Sequence, residues 1–189
     1  MTSLPMLPRL LTLLSGLALT ACAHPVPENP QWLTYAGGEG PGKGKHIVLI
    51  AADQEYRSEQ SLPMLAKILS QRHGFRCTVL FALDPDGTIN PENQRSLADS
   101  AALDTADAIV MSLRFRHWPE AEMARFVAAF NRGVPVIALR TSTHAFNIPA
   151  DAPFAQYSWN SRTPWRGGFG KHVLGETWIS HWGRHKFEA

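Results

Sequence analysis

The sequence predicts an α/β domain built on a parallel sheet with helices on both faces. Two observations carry this. Four short runs (His46–Ala52, Arg76–Leu80, Ala108–Leu113 and Val134–Leu139) are apolar and branched, as strands of a sheet covered on both faces are. The segments between them place apolar residues at helical spacing, so strands and amphipathic helices alternate.

The run His46–Ala52 is too short for a helix and reads as a buried strand. A helix follows, with Leu62, Leu65, Ile68 and Leu69 on one face. Ser58 or Ser61 can cap it, Pro63 is tolerated in a first turn, and Gly74 sits where a stop belongs. Arg76–Leu80 is the second strand. Residues 81–106 are polar and turn-rich, with a turn at Asp84-Pro85-Asp86-Gly87 and a short helix over Pro91–Leu97. Ala108–Leu113 is the third strand. Pro119 then opens a helix whose Glu120 and Glu122 suit its positive end. Met123, Phe126, Val127 and Phe130 form its stripe, and Gly133 ends it. Val134–Leu139 is the fourth strand, and Val173 marks a short fifth. No repeat or second domain is evident.

Upstream, residues 1–21 read as a secretory signal: Arg9 precedes the apolar run Leu10–Leu19, and small residues lead to a cut site. The run falls short of the roughly 20 residues that a spanning helix needs. Leu19-Thr20-Ala21-Cys22 resembles the lipobox of bacterial lipoproteins, whose cysteine is lipidated and becomes the new N-terminus. The alternative is an ordinary signal cut near Ala21 or Ala23. Ala23 after the cysteine, in place of an aspartate, implies the outer membrane of a two-membrane cell, with the domain facing the periplasm. Residues 22–44 are rich in Pro and Gly and read as a flexible tether, so the domain is expected over 45–189.

Composition bounds the function further. The chain is 44% hydrophobic and 18% charged, ordinary for one globular domain with a sizeable core. A net charge of +2 with no basic stripe points away from nucleic acid. Of the two cysteines, Cys22 would carry lipid, leaving Cys77 unpaired. Its strand neighbours Phe75, Thr78, Val79 and Leu80 favour a buried structural cysteine over a nucleophile.

Ligands of open parallel sheets bind beyond the carboxyl ends of the strands. Here those ends run into Asp53-Gln-Glu55-Tyr56-Arg57, Arg114-Phe-Arg116-His117-Trp118 and Arg140-Thr-Ser-Thr-His144. Acids, arginines, histidines and aromatics therefore converge on one rim. Ser142 with His144 lies where an elbow nucleophile would sit, but lacks the Gly-x-Ser-x-Gly pattern. The stretch from Tyr157 through Trp159 and Trp165 to Gly170 is aromatic and glycine-rich, suited to a loop over a pocket. His181 and His185 are four apart and would share one helical face, as metal-binding pairs do. With His172 they are candidate ligands for a divalent metal such as zinc. Gly183 between them, and the lack of a zincin glutamate, leave a structural or hydrogen-bonding role open.

Five segments together resemble the ThuA-like (trehalose utilisation) family of the class I glutamine amidotransferase-like superfamily. They are Ala51–Glu59, Leu62–Leu69, Arg140–Phe146, Trp165–Gly170 and Leu174–Trp178 with its following histidines. The resemblance implies a flavodoxin-like α/β fold. It also places Arg140 where true amidotransferases carry their catalytic cysteine, which rules out thiol-dependent glutamine hydrolysis. By the same resemblance, the substrate is a sugar or keto-disaccharide. His144 would be the acid–base, Glu55 a second carboxylate, and Arg140 or Arg114 a stabiliser of oxyanion character. Trp159 and Trp165 would stack on sugar faces, with Asp53, Tyr56, Arg57 and Arg116 among the substrate contacts. Members of the family continue past the histidine-rich stretch, so a sheet truncated at its C-terminus is expected. Three readings follow: an enzyme of sugar metabolism, a non-catalytic carbohydrate- or protein-binding lipoprotein, or an inactive remnant.

Overall fold

The computed structural model describes residues 32–180. Cys22, His181 and His185 lie outside the described residues. A five-stranded sheet forms from β1 (Trp32–Tyr35), β2 (His46–Ala52), β3 (Arg76–Phe81), β4 (Ala108–Leu113) and β5 (Val136–Ala138), in the order β1-β3-β2-β4-β5. The strands β3, β2, β4 and β5 are parallel, and β1 pairs antiparallel with β3. In chain order the parallel strands run 2-1-3-4, the flavodoxin-like pattern, with its switch point between β2 and β4.

Every residue of β2 is buried, as are the last five of β3 and of β4, so the unbroken apolar runs meet two covering layers. Helix α1 (Ser58–His73) packs Leu62 and Ala66 with Ile47, Leu49, Ala51, Cys77 and Val79 on one face. Helix α2 (Glu120–Asn131) and a 3-10 helix at Ser100–Thr105 cover the other. There Met123, Phe126 and Leu103 meet Val48, Ile50, Ile109 and Met111. The odd–even division along β2 is the two-residue period of a strand. No helix among the described residues is long and apolar enough to cross a membrane.

Four sequence expectations change. The stretch 22–44 is not a tether throughout: Trp32–Tyr35 forms β1, in register with Cys77–Leu80. Gly37, Gly40 and Gly42 after it serve close packing. Gly42 donates its N–H to the His73 carbonyl at 2.8 Å, and a Cβ on it would lie 2.3 Å from the Phe75 ring. Helix α1 starts at Ser58, which puts Pro63 inside the helix and not at its first turn. The helix expected at Pro91–Leu97 is absent, because the carbonyls of Pro91 and Asn93 accept hydrogen bonds from the buried Arg116 guanidinium instead. Val173 lies in a π-helical turn, Gly170–Leu174, and not in a strand.

Candidate functional site

The carboxyl ends of β2, β4 and β5 form the rim beside the switch point. At its base Asp53, fully buried, continues from β2. Its Oδ1 accepts the Glu55 N–H at 2.9 Å, and its Oδ2 accepts the hydroxyls of Ser112 (3.3 Å, from β4) and Thr141 (after β5). One carboxylate therefore ties three strand ends together. Ser58 completes the turn, its Oγ accepting the Asp53 N–H at 2.8 Å.

Above this base lies an open pocket of about 310 Å³, lined by Glu55, Tyr56, Arg140, Thr141, Thr143, His144, Trp178 and Ser180. Each parallel strand that feeds the rim is followed by a non-glycine residue in the left-handed backbone region. These are Arg57 (φ 49°) after β2, Phe115 (φ 53°) after β4 and Arg140 (φ 50°) after β5. They are three of the five such residues described. Each costs on the order of 1–2 kcal/mol, and such strain concentrates where a side chain must be aimed.

The pocket walls have definite partners. Glu55 Oε1 pairs with the Arg114 guanidinium at 3.1 Å, both groups being mostly buried. The Arg140 guanidinium lies over the Tyr56 ring at 4.1 Å, a cation–π contact. His144 is buried, and its Nδ1 is 3.3 Å from the Thr143 hydroxyl. Its ring packs against Phe115 (5.0 Å) and Trp178 (4.8 Å), and Trp178 packs against Trp159 (4.9 Å). The Trp178 indole, backed edge-on by Phe115 and Trp159, thus shares one small cleft with an imidazole, a carboxylate and a guanidinium.

Glycine at position 170 brings the aromatic segment in. A Cβ there would sit 2.1 Å from the Thr143 carbonyl, so only glycine lets this turn seat against the segment that carries His144.

Of the residues singled out from sequence, Glu55, Tyr56, Arg140 and His144 line the pocket, Asp53 supports it, Arg114 holds Glu55, and Trp159 backs Trp178. Three do not join them. Arg116 is fully buried, with its donors engaged by Arg114 (2.6 Å), Pro91 (2.9 Å), Asn93 (3.1 Å) and Gln54 (3.3 Å). It braces the loops instead of meeting a ligand, and burial pushes its pKa down to about 10. Arg57 is exposed at the start of α1 and is not among the lining residues. Trp165 packs on Tyr157 and stacks on His172 at 5.0 Å, away from the pocket lining.

His172 is exposed, and among the described residues no group of three or more His, Cys, Asp or Glu could hold a metal ion. The other two proposed ligands, His181 and His185, lie outside the described residues. Ser142 is buried, with its hydroxyl engaged by the Met111 carbonyl (3.2 Å) and the Leu113 N–H (3.1 Å). It links β4 to the turn after β5. Cys77 is buried in the α1-side core, where desolvation raises its pKa to about 11.

Trp178, which the sequence marks only within the Leu174–Trp178 segment, lines the pocket, and Phe115 packs on it and on His144 without being among the lining residues. No spacing rule connects Trp178 to His144. Comparisons of the chain with protein-family models, with curated proteins and with solved structures found no match.

Proposed function

We propose that this is a lipid-anchored ThuA-like protein of the cell envelope that acts on a sugar or keto-disaccharide by acid–base chemistry. The observation that carries the reading is the convergence of Glu55, Tyr56, Arg140 and His144 on one pocket at the switch point. A sugar offers hydroxyls to the charged groups and apolar C–H faces to aromatic rings, and the lining supplies both. In this reading His144 moves the proton at the carbon or oxygen beside a carbonyl. Arg140, held on Tyr56, stabilises the oxygen that gains negative charge. Glu55, fixed by Arg114, accepts hydroxyl protons and orients the ring. Cys22 is the anchor, with the outer membrane facing the periplasm as its address.

The test is turnover of 3-keto-disaccharides by the purified chain and by His144→Ala. Loss of turnover with unchanged folding supports the assignment, whereas unchanged turnover removes His144 from the chemistry. One observation favours a second reading, a carbohydrate-binding protein without turnover: the Glu55 carboxylate is already paired with Arg114. Calorimetric binding of the disaccharide with no product formed would select it.

A further inference from the structure

The register of β1 fixes where the chain enters the fold. Trp32 pairs opposite Leu80 and Tyr35 opposite Cys77, so β1 begins at the carboxyl pole of the parallel strands, the pole that carries the pocket. Cys22 is ten residues upstream of Trp32 and therefore at most ~35 Å from it. The seven residues of β2 separate the two poles by ~20 Å. Reach alone would let either pole face a bilayer, so surface chemistry has to decide.

Exposed cations (Lys43, Lys45, Arg72, Arg76 and Arg132) gather at the pole opposite the pocket, but the exposed apolar side chains favour the pocket pole. Among the exposed large apolar residues, Trp32 (38%), Tyr56 (44%), Ile89 (41%) and Ile179 (84%) lie there. Trp32 opens β1, Tyr56 follows β2, Ile89 bridges to Leu83 just past β3, and Ile179 adjoins the pocket residues Trp178 and Ser180. Arg57 and Arg140 are exposed at the same pole. Tryptophan, tyrosine and arginine beside aliphatic side chains form the composition that settles at the headgroup layer. The exposed acids Asp86 and Glu92 at this pole limit insertion to that depth.

We propose that the pocket-bearing pole rests on the phospholipid bilayer through Trp32, Tyr56, Ile89 and Ile179, so that the pocket opens onto the headgroup layer. This rests on the reading of Cys22 as the lipid anchor. It makes the accessible substrate one held at, or released from, the membrane surface.

The test uses the full chain, processed in a bacterial envelope and reconstituted into phosphatidylcholine–phosphatidylglycerol vesicles that carry an acceptor dye on the lipid. A donor dye is placed on Glu92→Cys or on Asn131→Cys. Glu92 lies in the segment braced by Arg116 at the pocket pole. Asn131 ends α2 at the opposite pole, where Pro135 meets Ile109 at the start of β4. Cys77 is buried and stays unlabelled. With poles ~20 Å apart, energy transfer from position 92 should exceed that from 131 by about twofold or more. Ile89→Glu with Ile179→Glu should reduce that excess. Equal or reversed transfer on a chain whose Cys22 is acylated by mass spectrometry overturns the orientation and leaves the anchor standing. An excess unchanged by the double substitution overturns the apolar contact. An unmodified Cys22 overturns the anchor and the orientation together.

Discussion

The Thr141 hydroxyl donates to the Asp53 carboxylate, joining the turn after β5 to the end of β2. The same hydroxyl lies 2.9 Å from the Leu113 carbonyl at the end of β4. Asp53 thus organises the floor of the pocket without lining it.

Asp53→Ala would leave the Glu55 N–H and the Ser112 and Thr141 hydroxyls short of an acceptor in a buried setting. The expected loss is about 2–4 kcal/mol in urea unfolding. Asp53→Asn, which keeps an acceptor, should cost less. Equal losses for the two would mean that shape alone matters there.

Arg140 is exposed, has φ 50° and holds its guanidinium on Tyr56. Arg140→Gly relieves a left-handed backbone at the loss of one exposed cation–π contact, effects of about 1 kcal/mol with opposite sign. Folding stability should therefore stay within ~1 kcal/mol of the parent, while ligand affinity falls. A stability loss beyond this range in a thermal melt would show that the residue is structural.

Gly170→Ala forces a methyl into the Thr143 carbonyl. Backbone cannot yield as a flexible side chain does, so a cost of ~2–3 kcal/mol is expected. The displaced turn should also move Trp178 off His144. Quenching of tryptophan fluorescence by acrylamide would rise; a parent-like quenching curve would contradict this.

His46 is buried at the opposite pole, its ring nitrogens 3.0 Å from the Thr105 hydroxyl and 2.9 Å from that of Thr78. Burial, helped by Arg76, lowers its pKa, although the Thr105 contact and Asp107 oppose the shift. A histidine with a lowered folded pKa favours the neutral form, so the unfolded chain binds more protons just below its ordinary pKa of about 6.5. The stability from this group is complete above that value. It declines as pH falls from there towards the lowered folded value. His46→Gln should flatten this part of the stability–pH curve, and an unaltered slope would assign it to another group.

Cys77, with its pKa raised to about 11 by burial, should be inert to a disulfide reagent at pH 8 in the folded chain and react once urea unfolds it. Rapid reaction of the native protein would contradict its placement in the core.

The four parallel strands and both long helices were legible because each carries its own signal. An unbroken apolar run of strand length means burial on two sides, and apolar spacing with Gly74 or Gly133 behind it means a helix that stops. That Glu55, Tyr56, Arg140 and His144 lie close together was legible because a parallel sheet brings its strand ends to one rim. Arg116 was misread for the same reason: its position past β4 is a rim position. Only the packing of the 91–93 carbonyls against its guanidinium turns it inward. Trp165 was misplaced likewise, since aromatic content says nothing of which ring faces a cleft: Trp178 lines it and Trp165 does not.

The sequence by itself determined that alternating strands and helices form an α/β sheet, which strand ends carry polar chemistry, and that Cys77 is a core residue. Those are local matters of period, length and composition. Tertiary structure decided that Trp32–Tyr35 joins the sheet antiparallel and that Trp178 closes on His144. It also decided that Asp53 binds Thr141 across the switch point. Each depends on contacts between residues far apart in the chain, whose geometry exists only once the sheet and its covering layers have assembled.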